Sequence, residues 1–212
     1  DPAQPGCWRR AKRTAFGCLG LVGCGLLAAG IVAARRPMGR YALGAGLISI
    51  GLPGPSLSLA QGLIDDYPDQ NAAFYLLKSA AQRTLGHLDE SFVTLDEAVQ
   101  KFPNTFAAND DRCLYGALFG DPKAALPYCD KAVTLIGSRQ ANAALAHRGM
   151  ARALAGDRDG AMADLDEAVA SWRAQGIRDA QFARPYGVML DALHEGRDPL
   201  DAAALQRERD RY

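Results

Sequence analysis

The sequence is short of the residues that carry chemistry. Its three histidines, His87, His147 and His194, stand singly and far apart, too few and too scattered for a rich metal site. From residue 61 onward there is no H-E-x-x-H, no C-x-x-C pair, no phosphate-binding loop and no serine nucleophile elbow. The grouped carboxylates Asp96 and Glu97, Asp110 and Asp111, and Asp164, Asp166 and Glu167 recur at matching places in helical runs. A solvated helix face is therefore expected of them, not metal or acid–base work. No enzyme is expected: no catalytic residue, no metal ligand and no cofactor is assigned. Acidic residues are almost missing from the first sixty positions, which hold one against seven basic side chains, leaving 23 acidic and 17 basic in the rest of a chain whose net charge is zero. That acidic remainder excludes nucleic acid as a partner, because phosphate binding wants a basic patch. With 49% apolar and 23% charged residues over 212 positions, a disordered or collagen-like chain is excluded too.

Charge is absent altogether from Ala15 to Ala34, between Arg9, Arg10, Lys12 and Arg13 on one side and Arg35 and Arg36 on the other. Twenty helical residues at about 1.5 Å each would cross the ~30 Å hydrocarbon layer. Basic residues at both ends leave the orientation open. The following stretch, residues 38–60, has the grammar of a signal peptide: Arg40, an apolar run from Tyr41 to Leu52, Pro53 and Pro55, then Ser58-Leu59-Ala60. It predicts cleavage between Ala60 and Gln61. The alternative is that residues 41–60 form a second membrane helix kinked at Pro53. Residues 1–37 are then either a membrane helix or, with a start at Met38, upstream sequence, and residues 61–71 are a linker.

What the chain does have is a repeat. GHLDESFVTLDEAVQKFPN from Gly86, GDPKAALPYCDKAVTLIGS from Gly120 and GDRDGAMADLDEAVASWRA from Gly156 align without gaps, with glycines 34 and 36 apart. Leu95, Ala98 and Val99 recur as Cys129, Ala132 and Val133 and as Leu165, Ala168 and Val169, the spacing of one apolar helical stripe. A second helical run precedes each glycine, from Ala72, Phe106 and Asn142. Asp121 before Pro122 predicts a capped helix start, whereas Pro127 is a misfit inside its helix.

These residues resemble the tetratricopeptide repeat (TPR) family. Counted from Ala72, Phe106 and Asn142, the small residue of position 8 is Ser79, Cys113 and Gly149, and position 24 is Leu95, Cys129 and Leu165. The resemblance implies an all-α fold: an α-solenoid of three antiparallel helix-turn-helix repeats over residues 72–177, with a capping helix and polar tail over residues 178–212. The cap is expected because an end unit needs a polar outer face. The tail helix is predicted to start at Asp198-Pro199. In each hairpin, positions 8 and 24 lie level, so Cys113 and Cys129 can be bridged; the alternative is two small buried thiols packed as apolar groups.

Function then rests on shape. First-helix positions would line a concave groove for a protein or peptide: Leu76, Ala80, Arg83, Asp110, Leu114, Leu118, Ala146, Met150 and Leu154. Several of them read equally well as core between repeats. Leu76, Ala80, Asp111, Ala143 and His147 replace the lysine, asparagine and arginine set by which chaperone-binding relatives hold a terminal carboxylate. The resulting expectation is a non-enzymatic, exported or periplasmic adaptor for a protein partner. The alternative is an inner-membrane scaffold whose membrane contact runs through residues 15–60. A ligand pocket near Tyr186 and His194 is a third reading.

Overall fold

In the computed structural model, residues 36–136, 142–176 and 183–210 are described. The stretch Ala15–Ala34, the three cysteines within the first thirty residues, and Phe182, which falls in the stretch expected as the cap, lie outside them. Among the described residues there are ten helices and no strand: α1 (Pro37–Ser49), α2 (Pro53–Asp66), α3 (Ala72–Thr84), α4 (Leu88–Lys101), α5 (Phe106–Phe119), α6 (Pro122–Ile136), α7 (Asn142–Ala155), α8 (Arg158–Ala174), α9 (Arg184–His194) and α10 (Ala202–Arg209). Successive helices pack as hairpins, and the first helix of each hairpin also packs on the first helix of the next, α3 on α5 and α5 on α7. This is a stack of helical pairs with a shared core.

Why the three expected pairs form is visible in their turns and seams. Gly86 and Gly156 take φ of +82° and +88°, a backbone that only glycine enters freely. Asp121 caps α6 by accepting from Lys123 N at 2.9 Å, and Asp157 caps α8 by accepting from Gly160 N at 3.0 Å. Leu95, Ala98, Leu165 and Ala168 of the repeating stripe are fully buried. Helix α6 runs on through Pro127, which lies on its exposed side. At Gly149 a β-carbon would stand 2.8 Å from Leu165 Cγ, so α7 and α8 approach too closely for any side chain there.

A fourth pair precedes these three. Residues 38–60, which carry the signal-like pattern, lie in α1 and α2, and α2 packs on α3. Gly51 turns this hairpin with φ of +78°, 35 residues before Gly86. Gly44 presses against Leu77, and Ala60, Leu63 and Ile64 share a core with Phe74, Tyr75 and Ala98. Ala60 and Gln61 thus sit in the middle of a packed helix. Pro53 does not kink a long helix; it occupies the first turn of a new one, where its missing N–H costs nothing. Residues 61–71, expected as a linker, supply the end of α2 and the turn into α3.

The carboxyl end differs in one boundary. Asp201, not Asp198, caps the tail helix, accepting from Ala204 N at 2.8 Å. Asp198 instead accepts from Leu200 N at 3.0 Å, a local turn that leaves Pro199 outside the helix and buries Leu200.

Candidate protein-binding groove

The residues expected to line the groove divide in two. Leu118, Ala146 and Met150 are fully buried and Leu114 nearly so, all in one core with Tyr186, Met189 and Leu193 of α9. Leu76, Ala80, Arg83, Asp110 and Leu154 remain half-buried along α3, α5 and α7. The difference comes from the segment beyond the repeats: α9 packs on α7 and α8, and α10 on α5. Arg209 of α10 donates to Leu118 O at 2.7 Å and lies 5.9 Å from the centre of the Phe119 ring. The chain's own carboxyl end therefore covers part of α5 and α7, and α3 and the remainder of those two helices keep open surface.

The open part is more polar than its apolar members alone suggest. Arg83 lies over the Tyr115 ring at 3.3 Å and donates to Ser79 Oγ at 2.8 Å, and Ser79 in turn exchanges a 2.8 Å hydrogen bond with Ser91. Burial lowers the guanidinium pKa, against the pull of Tyr115 and Asp111. Asp110 Oδ1 meets His147 Nδ1 at 2.8 Å, and the His147 ring lies 6.0 Å from Tyr186, itself 5.8 Å from Trp172. Desolvation pushes the neighbouring Asp111 carboxyl up from 3.8 to about 6; Arg83 opposes the rise, Asp110 adds to it, and His147 opposes it. Arg83, Asp110, Asp111 and His147 thus form one charged cluster across three first helices. Sequence reading placed each on its helix but did not bring the three helices' residues together, because Arg83, the adjacent Asp110 and Asp111, and His147 are at least 27 positions apart from helix to helix and meet only through the stacking.

The carboxylates read as a solvated face also divide. Asp166, Glu167, Asp96 and Glu97 are exposed, but Asp164 is buried, held by both η2 and ε nitrogens of Arg148 at 2.7 and 2.8 Å and by Arg152 at 2.8 Å. A fork of two arginines on one carboxylate locks α7 to α8. Among the described residues, no group of three or more histidine, cysteine, aspartate or glutamate side chains is placed to hold a metal ion. At the carboxyl end, a cleft of about 310 Å³ is lined by Arg184, Val188, Met189, Leu200 and Arg207. Tyr186 is instead packed in the core, and exposed His194 faces Asp166 at 3.5 Å.

Cys113 on α5 and Cys129 on α6 form a disulfide, with Cα atoms 4.8 Å apart. Both are fully buried beside Ala117 and Ala125. The bridge stands where Gly149 meets Leu165 in the next unit.

No family model and no curated protein matches the chain. Seventeen solved chains do, among them the crystal structure of a thermophilic TPR protein of Thermus thermophilus, at 21% identity and a TM-score of 0.58, over 72% of this chain and 80% of that one. The chain has the tetratricopeptide-repeat fold. Within that fold, Gly44, Ser79, Cys113 and Gly149 hold the small position of each first helix, and Ala60, Leu95, Cys129 and Leu165 the facing position of each return helix. Among the described residues of this TPR solenoid, no helix is long and apolar enough to cross a membrane.

Proposed function

We propose that this TPR solenoid is a non-enzymatic adaptor that holds a protein or peptide partner against its first helices, in an oxidising compartment outside the cytoplasmic membrane. The observation that carries the reading is the open line of Leu76, Ala80, Arg83 and Asp110, an apolar track ending in fixed charges that a peptide can use for register. The Cys113–Cys129 bridge supports such a compartment, since cytosolic thiols are kept reduced. Two routes lead there: export with cleavage after Ala60, or retention of Ala15–Ala34 as a membrane anchor. Burial of Ala60, Leu63 and Ile64 favours retention, because cleavage would cut α2 and strip α1 from Leu77. For an anchored chain, the bridge favours an orientation with the repeats on the oxidising side.

Affinity capture from native envelope tests the groove. Ala80→Arg should lose partners that the parent chain and a Val93→Arg control both retain; equal recovery by all three places the contact elsewhere. Amino-terminal sequencing and alkaline extraction of membranes separate the routes: an intact chain that stays with the lipid supports anchoring, and a chain starting at Gln61 supports export.

A further inference from the structure

Among the described residues, the first pair of the solenoid lacks the polar outer side that a terminal repeat turns to water. Of the seven large apolar side chains exposed among the described residues, four fall between residues 38 and 52: Met38, Leu43, Ile50 and Leu52, the third of them 70% exposed. One side of α1 packs inward through Tyr41, Gly44, Ala45 and Ile48. The opposite side runs Leu43, Gly46, Ile50 and continues into the turn at Leu52, with no charged residue on it. No acidic residue occurs between positions 36 and 64, and Arg36 is exposed at the start of α1.

We infer that this side of α1 and the α1–α2 turn rests in the headgroup layer of an anionic bilayer, with Leu43, Ile50 and Leu52 among the upper acyl carbons. The inference builds on the anchored reading above and adds the contact surface. Helix α1, 13 residues or about 20 Å long, is too short to cross the membrane, and its inward side belongs to the protein core. Lying in the interface is the remaining way for it to meet lipid. The uncharged stretch stops at Ala34 and α1 starts at Pro37, a gap of at most about 10 Å, so an anchor there delivers α1 to the surface. Exposed Arg36 at the start of α1 falls at headgroup level, where basic side chains are favoured, and the missing acid removes repulsion from anionic lipid.

The test uses the full chain with Trp8→Phe, in phosphatidylcholine–phosphatidylglycerol vesicles with and without brominated acyl chains. Buried Trp172 supplies a common background. Ile50→Trp and Leu43→Trp should lose about half of their added emission to the bromine, whereas Val93→Trp, exposed on α4, should lose little, as expected for side chains at differing depth. Equal quenching at positions 50 and 93 overturns the inference, as does protection of both reporters by self-association of the chain through this face. Alkaline extraction of the same vesicles keeps the two claims apart: protein in the pellet with an unquenched Trp at 50 refutes the contact alone. Protein in the supernatant refutes the anchor, and quenching at 50 before extraction would then still support the contact.

Discussion

Asp111 shows how one side chain acquires a property that its neighbours in sequence do not give it. Its folded pKa of about 6 lies above the ordinary 3.8 because burial outweighs the attraction of Arg83. The folded state therefore binds this proton more tightly than the unfolded chain, so the contribution is full below about pH 4 and is lost as pH rises through about 6. Asp111→Asn should accordingly raise stability near pH 7.5 by about 1–2 kcal/mol, and thermal melts of the two proteins should converge below about pH 4. A gap that persists in acid would mean that packing, not charge, separates them. At Cys113 and Cys129 the expected effect is larger: the paired change to serine, or reduction, should cost about 3 kcal/mol in chemical denaturation, the entropy of freeing a loop of this length. Of the charged cluster, residue types were legible in the sequence but contacts were not, since proximity of Arg83, Asp111 and His147 is a product of three helices stacking.

At the scale of the helix, close approach sets what is tolerated. Gly149→Val should destabilise by about 1–3 kcal/mol, because its β-carbon meets Leu165 and Asp164 on α8 and neither has room to yield. Far-ultraviolet circular dichroism of that variant should keep its helical signal while its melting temperature drops. Helix boundaries in the later units were legible because glycine, cap and apolar stripe repeat together. The first pair was not, for a physical reason. Its facing positions are Gly44 and Ala60, its inward position on α2 is Ser56, and Pro53 and Pro55 look like helix breakers when they in fact open a helix. A short apolar helix with small residues and early prolines has the same composition as a secretion signal. The periodic signals were present nonetheless: Gly51 precedes Gly86, and Pro68 precedes Pro103, by 35 positions each.

For the molecule as a whole, the first pair decides how much of the chain is needed to fold. A chain beginning at Gln61 should melt well below one beginning at Arg36 and should bind more of a hydrophobic dye, because Phe74, Tyr75 and Leu77 would lose α1 and the start of α2. Equal melting temperatures would mean that α1 and α2 are dispensable, and would revive export by cleavage. The helical-pair architecture of the three later units was readable from periodicity. The folding back of α9 and α10 over the later first helices was not, because contacts as distant as Arg209 with Leu118 leave no periodic trace.

The bridge ties two helices of a single pair and joins no pair to another. In a stack held by nearest-neighbour contacts, loss of order travels inward from the ends. The bridged hairpin has two pairs before it and another after it, so fraying from either direction meets a clamped segment before it can pass through the middle. Proteolytic nicking should therefore spare Phe106–Ile136 longest, and refolding should restart from that stretch.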